Sequence, residues 1–311
     1  MAQDMVHPSK PTMFCMVVTP MDEQRRIDEE ACRAHLRRMI DGGIGVYLGS
    51  GGTGQGHALE REELQRLYEI GVSECKGKVP VYCNPPEART AKEMLWKARL
   101  GADAGMDVVQ LYQLDAGHGR TPPLWEQEHY FRDLLEEIDH PIALSVHQAS
   151  GYLAPVALTA QLCNDYPQVV AVNLHGPGMP YLLQLKERIR DNIKIYTGMV
   201  NVLTSLPLGG WGCQAAEPNL VPKLCQSVID HFLSGDIGKM GAAYAQVLQV
   251  WSALAPAQAQ SQDATKAVLR AMGLPGGYTR PPRAPVDEAA LAQVLENLKA
   301  LHIPEIEGLT G

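Results

Sequence analysis

The 311-residue chain has no apolar run long enough to cross a bilayer, and its polar start, Met1 to Pro11, lacks the apolar core of a secretory signal. A membrane partner is not expected, and the chain reads as cytoplasmic. Positive charge is not in excess either: 27 Lys and Arg stand against 35 Asp and Glu, net −8, with no basic patch to offset it, so nucleic acid is not an expected partner. The seven cysteines are an odd set without CxxC spacing, which argues against a disulfide framework or a zinc knuckle. They read as buried thiols, with Cys83 and Cys213 near strand ends. No glycine pattern of the Walker or dinucleotide kind opens a helix. No HxH or HxxxE pair fixes two metal ligands locally. No repeat, low-complexity tract or linker divides residues 12 to 305, so one functional unit is expected.

What is present is an alternation. Strand-like segments at Phe14–Pro20, Gly45–Leu48, Val79–Asn84, Met106–Gln113, Pro141–His147, Pro167–His175, Ile193–Thr197 and Gly209–Gln214 are separated by helix-like ones. Eight strands, each followed by a helix, predict a (β/α)8 TIM barrel with a C-terminal helical extension in preference to a doubly wound sheet. The barrel is expected over 12–222 and the completing helices over 223–305, with 1–11 and 306–311 as tails. On a period of two, Val170, Val172 and Leu174 share one face of the sixth strand, and Val169, Ala171, Asn173 and His175 share the other. The fifth repeats the scheme, with Ile142, Leu144 and Val146 against Ala143, Ser145 and His147.

Strand ends that turn polar at the carboxyl end of such a barrel are candidate site positions. Ser145, His147, Asn173 and His175 are the candidate catalytic set: histidine moves protons near pH 7, and Asn and Ser can hold a carboxylate or a developing enolate oxygen. Tyr82, Asn84, Gln110 and Tyr112 on strands three and four, and Asp115 and His118 in the long loop that also holds Arg120, are candidate substrate-binding residues. Trp125, Tyr112 and Tyr82 can line an aromatic pocket. No cofactor is expected. A divalent metal on Asp115, His118, His147 and His175 stays open as an alternative.

The opening Val18-Thr-Pro20-Met-Asp with Ile27-Asp28, the turn Gly51-Gly-Thr-Gly-Gln55 with Leu59 and Glu62-Glu63, the stretch Gly209-Gly-Trp-Gly-Cys with Asn219-Leu-Val-Pro222, and the tail Lys266-Ala-Val-Leu with Arg280-Pro-Pro282 resemble the dihydrodipicolinate synthase / N-acetylneuraminate lyase superfamily, in order and along nearly the whole chain. The resemblance implies a (β/α)8 barrel with a C-terminal helical bundle, a homotetramer, and aldol or dehydration chemistry on small pyruvate-derived acids through a lysine imine. It also exposes departures. The lysine position on the sixth strand is Asn173, and the proton-passing tyrosine on the fifth is Ser145. The carboxylate-binding turn reads Gly51-Gly52-Thr53-Gly54-Gln55, which makes Gly52, Thr53 and Gln55 candidate substrate-binding residues. The paired tyrosines after the fourth strand are replaced by Leu114, Asp115 and Ala116. An amide is no amine nucleophile, so imine formation at Asn173 is not expected.

Two function classes follow. One is a lyase-type enzyme acting on a small carboxylic or oxo acid without a Schiff base. The other is a non-catalytic ligand-binding or regulatory protein that kept the barrel.

Overall fold

A computed structural model describes residues 2–261 and 264–309. Its centre is a closed, all-parallel barrel of β1 (Thr12–Met16), β2 (Gly45–Leu48), β3 (Val81–Cys83), β4 (Val108–Tyr112), β5 (Ile142–His147), β6 (Val169–His175), β7 (Lys194–Thr197) and β8 (Gly212–Ala215), in that order, with β1 also paired to β8. The predicted (β/α)8 barrel is therefore the fold. Each strand turns one face outward to the helices and one inward. Cys15, Val46, Val109, Leu144 and Val172 belong to the outer core, and Phe14, Tyr47, Tyr82 and Tyr196 to the inner one.

Helices begin where the sequence offers caps. Asp28 accepts the Ala31 amide ahead of Glu29–Asp41, Thr90 that of Glu93 ahead of Ala91–Ala104, and Asp287 that of Ala290 ahead of Glu288–Ala300. Glu60 and Glu63 form a reciprocal capping box at Arg61–Cys75.

The period of two fails at one place on β6. Ile142 pairs with Val169 and Ala143 with Ala171, so a bulge absorbs Val170. Val169 consequently packs outward, whereas Val170 joins the inner cluster, the reverse of what strict alternation predicts. Above the bulge Ala171, Asn173 and His175 face inward as expected.

The amino-terminal segment is also more than a tail. Ala2–Val6 is helical, and the Met5 and Val6 carbonyls accept the Tyr82 hydroxyl at 2.8 and 3.3 Å. Trp211 Nε1 donates to the Pro8 carbonyl, so the segment closes the barrel's amino end. At the other terminus Glu307, in the helix Ile303–Glu307, accepts the Lys223 and Leu224 amides and caps the helix Pro222–Leu233. Of the tails predicted from sequence, residues 1, 310 and 311 lie outside the described residues. Among the described residues no helix is long and apolar enough to cross a membrane. All seven cysteines are free and buried, and burial raises the Cys83 and Cys213 thiols well above their ordinary range.

Candidate active site at the carboxyl ends of the strands

Two residues along a strand return to the same face, so the inner positions stack in layers. The lower layer is an aromatic floor. Phe14 lies 5.2, 4.8 and 5.2 Å from the ring centroids of Tyr47, Tyr82 and Tyr196. Small residues opposite, Ala143 and Ala171, make room for those rings. This floor closes the barrel axis.

One step toward the carboxyl ends, the next layer consists of Asn84, Gln110, Ser145, Asn173 and Gln214, all buried and all uncharged. Their amides form a directed chain. His175 Nε2 donates to Gln214 Oε1 (2.6 Å), Gln214 Nε2 to Gln110 Oε1 (3.1 Å), and Gln110 Nε2 to Asn84 Oδ1 (2.8 Å). Asn173 Nδ2 joins the chain at Gln110 Oε1 (2.5 Å) and also donates to the Tyr47 hydroxyl that rises from the floor (2.9 Å). Three polar atoms of the layer are left over: Asn84 Nδ2, Asn173 Oδ1 and Ser145 Oγ are buried without a hydrogen-bond partner. A buried unsatisfied group costs about 1–3 kcal/mol, and such a cost is retained where a ligand supplies the missing partner. Together they offer a donor, an acceptor and a hydroxyl, a set suited to a carbonyl or hydroxyl oxygen.

Above this layer stand Tyr112, His147 and His175. His147 and His175 are register partners with ring centroids 5.2 Å apart, and Tyr112 lies 5.8 Å from His147. His147 Nδ1 accepts the Ala149 amide, which puts the proton of the neutral ring on Nε2. Gln113, wholly buried, straps the following loop in place by accepting the His147 and Ala154 amides and donating to the Tyr152 carbonyl. Burial lowers the pKa of His147, while burial and then the neighbouring His147 hold His175 down to about 4. Both rings are neutral near pH 7. The Nδ1 of His175 faces the Gly198 backbone, where an added Cβ would stand 3.3 Å away. His147, the less buried of the two, therefore presents an Nε2–H donor.

Four residues that the sequence reading overlooked belong here: Tyr47, Gln113, Gln214 and Glu87. Gln214 ends the eighth strand segment just as Asn173 nears the end of the sixth, and period-two counting there would have found it. Glu87 follows Asn84-Pro-Pro in the loop after β3. Its carboxylate lies where a Cβ on Gly51 would meet it at 2.5 Å. Burial first, then this carboxylate, raises the Tyr112 hydroxyl above the ordinary phenol range.

Several expected site residues are placed elsewhere. Tyr82 spends its hydroxyl on the amino-terminal segment and its ring on the floor, because its inward position is one layer too low. Gln55 is fully engaged with the C-terminal segment, accepting Lys266 Nζ (2.7 Å) and the Arg280 amide while donating to the Arg280 carbonyl. Asp115 accepts the Gly117 amide and lies 3.9 Å from Arg89, and His118 is exposed at a left-handed loop tip with φ 52°. Trp125 is 61% exposed on the outer surface. The proposed metal set is thus not assembled: only the two strand histidines meet. Among the described residues no group of three or more His, Cys, Asp or Glu could hold a metal ion. Gly52 and Thr53 line a cavity of about 250 Å³ at the same end of the barrel, beside β8, β1 and β2, with Val18, Ala216, Trp251 and Arg283.

The model of the Dihydrodipicolinate synthetase family matches residues 11–301. A 4-hydroxy-tetrahydrodipicolinate synthase of Methanopyrus kandleri is 27% identical over 279 residues, covering 88% of this chain and 89% of the relative. A probable 5-dehydro-4-deoxyglucarate dehydratase of Oceanobacillus iheyensis is 26% identical over 300 residues, covering 94% and 95%. Among solved structures, a prophage protein of the dihydrodipicolinic acid synthase family from E. coli K12, in complex with pyruvate, superposes with a TM-score of 0.85 at 19% identity, covering 94% of this chain and 99% of that one. At that identity the superposition speaks for the fold.

Proposed function

Since the chain belongs to the dihydrodipicolinate synthetase family, whose members similar to it include a synthase and a probable dehydratase, we propose that it is a lyase that acts on a small carboxylic or oxo acid without forming a lysine imine. The observation that carries this reading is Asn173. It is wholly buried at the inner face of β6, an amide tied to Gln110 and Tyr47, with its own Oδ1 left for a ligand. An amide nitrogen has no basic lone pair and cannot condense with a keto group.

Lysines elsewhere in the barrel and its helices support the same reading. Lys266 is held by Gln55 and the Tyr278 carbonyl, and Lys97 by Glu93 and the Glu87 carbonyl. Lys194 lies over the Trp211 ring, toward the amino end.

In this mechanism the substrate's carbonyl or hydroxyl oxygen meets the Asn84 and Ser145 donors, which stabilise negative charge as it develops. His147, neutral with its proton on Nε2 because Nδ1 accepts the Ala149 amide, donates a hydrogen bond to the negative charge as it develops, and His175 is aligned behind it by Gln214. Glu87 and Tyr112 flank the entrance. The substrate is a small acid, and the homotetramer implied by the family resemblance is part of the same proposal.

A panel of oxo-acid and hydroxy-acid aldols and sugar acids, assayed with and without borohydride, tests it. Turnover that borohydride does not inactivate is expected. Covalent trapping of pyruvate on the wild-type chain would overturn the imine-free mechanism. The low basicity of His175 favours one second reading, a ligand-binding protein without turnover. Thermal stabilisation by an acid that is never converted would select it.

A further inference from the structure

We propose that the protein binds inorganic phosphate at a second site, remote from the strand ends, between the helix Ala264–Ala271, the 273–286 segment and the 21–27 turn. A cavity of about 120 Å³ lies there, lined by Arg25, Lys266, Arg270, Tyr278, Thr279 and Arg283. No acidic side chain lines it among the described residues.

Arg25 Nη1 is buried in this wall with no hydrogen-bond partner. A buried guanidinium nitrogen gives up its hydration for nothing unless an acceptor enters. Arg270 approaches from the helix. The Arg25 and Arg270 guanidinium carbons lie 4.9 and 4.3 Å from the centroid of the same ring, Tyr278. The ring attracts each cation, but two cations drawn to one ring repel each other, and an anion in the cavity that both line offsets that repulsion. Among the described residues the carboxylate bonded to Tyr278 is that of Glu23, which accepts its hydroxyl at 3.3 Å and is not part of the cavity wall. Arg270 Nη1 donates to the Gly277 carbonyl, which aims the rest of its fork and keeps further N–H donors in hand. Donors converging from three segments suit a tetrahedral, multiply charged oxyanion better than a planar carboxylate, and a cavity of this size holds a free phosphate without a larger organic group.

The site is tied to the turn after β2. Lys266 donates to Gln55 Oε1, and Arg283 Nη2 donates to the Gly52 carbonyl at 3.0 Å. Phosphate held by this wall therefore stiffens residues 51–55 at the rim of the barrel mouth.

The test is calorimetric titration of inorganic phosphate into the full chain in a low-salt, phosphate-free buffer, with glycerol phosphate and chloride as separate arms. Saturable one-site binding of phosphate, weaker or absent binding of the ester, and none of chloride are expected. Arg25→Gln and Arg270→Gln should each weaken binding by about tenfold or more, as loss of a charge-assisted donor does. Exposed Arg188→Gln should leave it unchanged. Hydrogen exchange on the wild-type chain supplies a readout that needs no variant: phosphate should protect residues 21–27, 51–55 and 264–286. No saturable binding, binding indifferent to both arginine variants, or protection confined to other segments would each overturn the proposal.

Discussion

Asn173 and Tyr47 stand on opposite sides of the barrel, 126 positions apart in the chain, yet the Asn173 amide nitrogen lies 2.9 Å from the Tyr47 hydroxyl. That contact joins the aromatic floor to the polar layer and fixes which way Asn173 points: nitrogen toward floor and Gln110, oxygen left without a partner.

Replacing Asn173 by lysine puts an amine at this spot. Asn173→Lys should fold with a loss of about 2–4 kcal/mol, because the amine is desolvated there. It should gain borohydride trapping of pyruvate, visible by mass spectrometry, that is not expected of the wild-type chain. A variant that folds and still fails to trap would mean the layer is not shaped for a keto acid.

Gln214→Leu removes the acceptor of His175 Nε2 and the donor to Gln110. It leaves His175 Nε2 buried and unpaired, while Gln110 Oε1 keeps the Asn173 donor, so stability should fall by about 1–3 kcal/mol. The hydrogen bond that His175 donates to Gln214 opposes the depression of the His175 pKa, and its loss should lower that pKa further, as read by NMR titration of the ring protons.

Stability should decline as the pH falls through the mildly acidic range. His35, wholly buried and bonded to Asn219 Oδ1 at 2.9 Å, and His175 are both depressed to about 4 from 6.5. Between those values the unfolded chain binds protons that the folded one refuses, so unfolding becomes easier as pH drops from about 6.5 to about 4, and the loss is complete below the folded value. For His35 the full effect is about 3 kcal/mol, at ~1.4 kcal/mol per pKa unit, and it is smaller for the partly exposed His175. Urea unfolding at a series of pH values should show this slope, and His35→Gln should flatten it. An unchanged slope would contradict the burial argument.

Gly56→Ala should cost roughly 3 kcal/mol or more. The new Cβ would sit 1.9 Å from the Gly49 carbonyl oxygen, a backbone atom that cannot swing aside, so the turn after β2 must open. Thermal melts report the loss.

Tyr82→Phe should behave differently from the strand-end variants. It loses a hydroxyl bonded only to the Met5 and Val6 carbonyls, so about 1 kcal/mol and faster hydrogen exchange of the first residues are expected, with catalytic parameters unaltered.

The barrel could be read in advance because its signals are local: alternating apolar periods, caps at Asp28, Glu60, Thr90 and Asp287, and a polar residue near each strand end. The site was legible only in part. Ser145, His147, Asn173 and His175 lie where period-two counting put them, since nothing interrupts β5 and β6 above the bulge. Tyr82 and Gln55 did not, for opposite reasons. Tyr82 has the right face and the wrong height, and height along the barrel axis depends on the shear between strands. Gln55 has the right turn, but its amide is taken by Lys266 and Arg280, more than 200 positions later in the chain.

The amino-acid order determined the architecture: eight staves, inward side chains at known periods, and an uncharged amide, Asn173, near the end of β6. Only the folded chain decided which of those groups meet. Whether Gln214 reaches Gln110, whether Val170 is squeezed inward, and which buried atoms are left without partners all follow from distances across a closed ring. Ring closure couples residues through space, and no local pattern in the chain encodes that coupling.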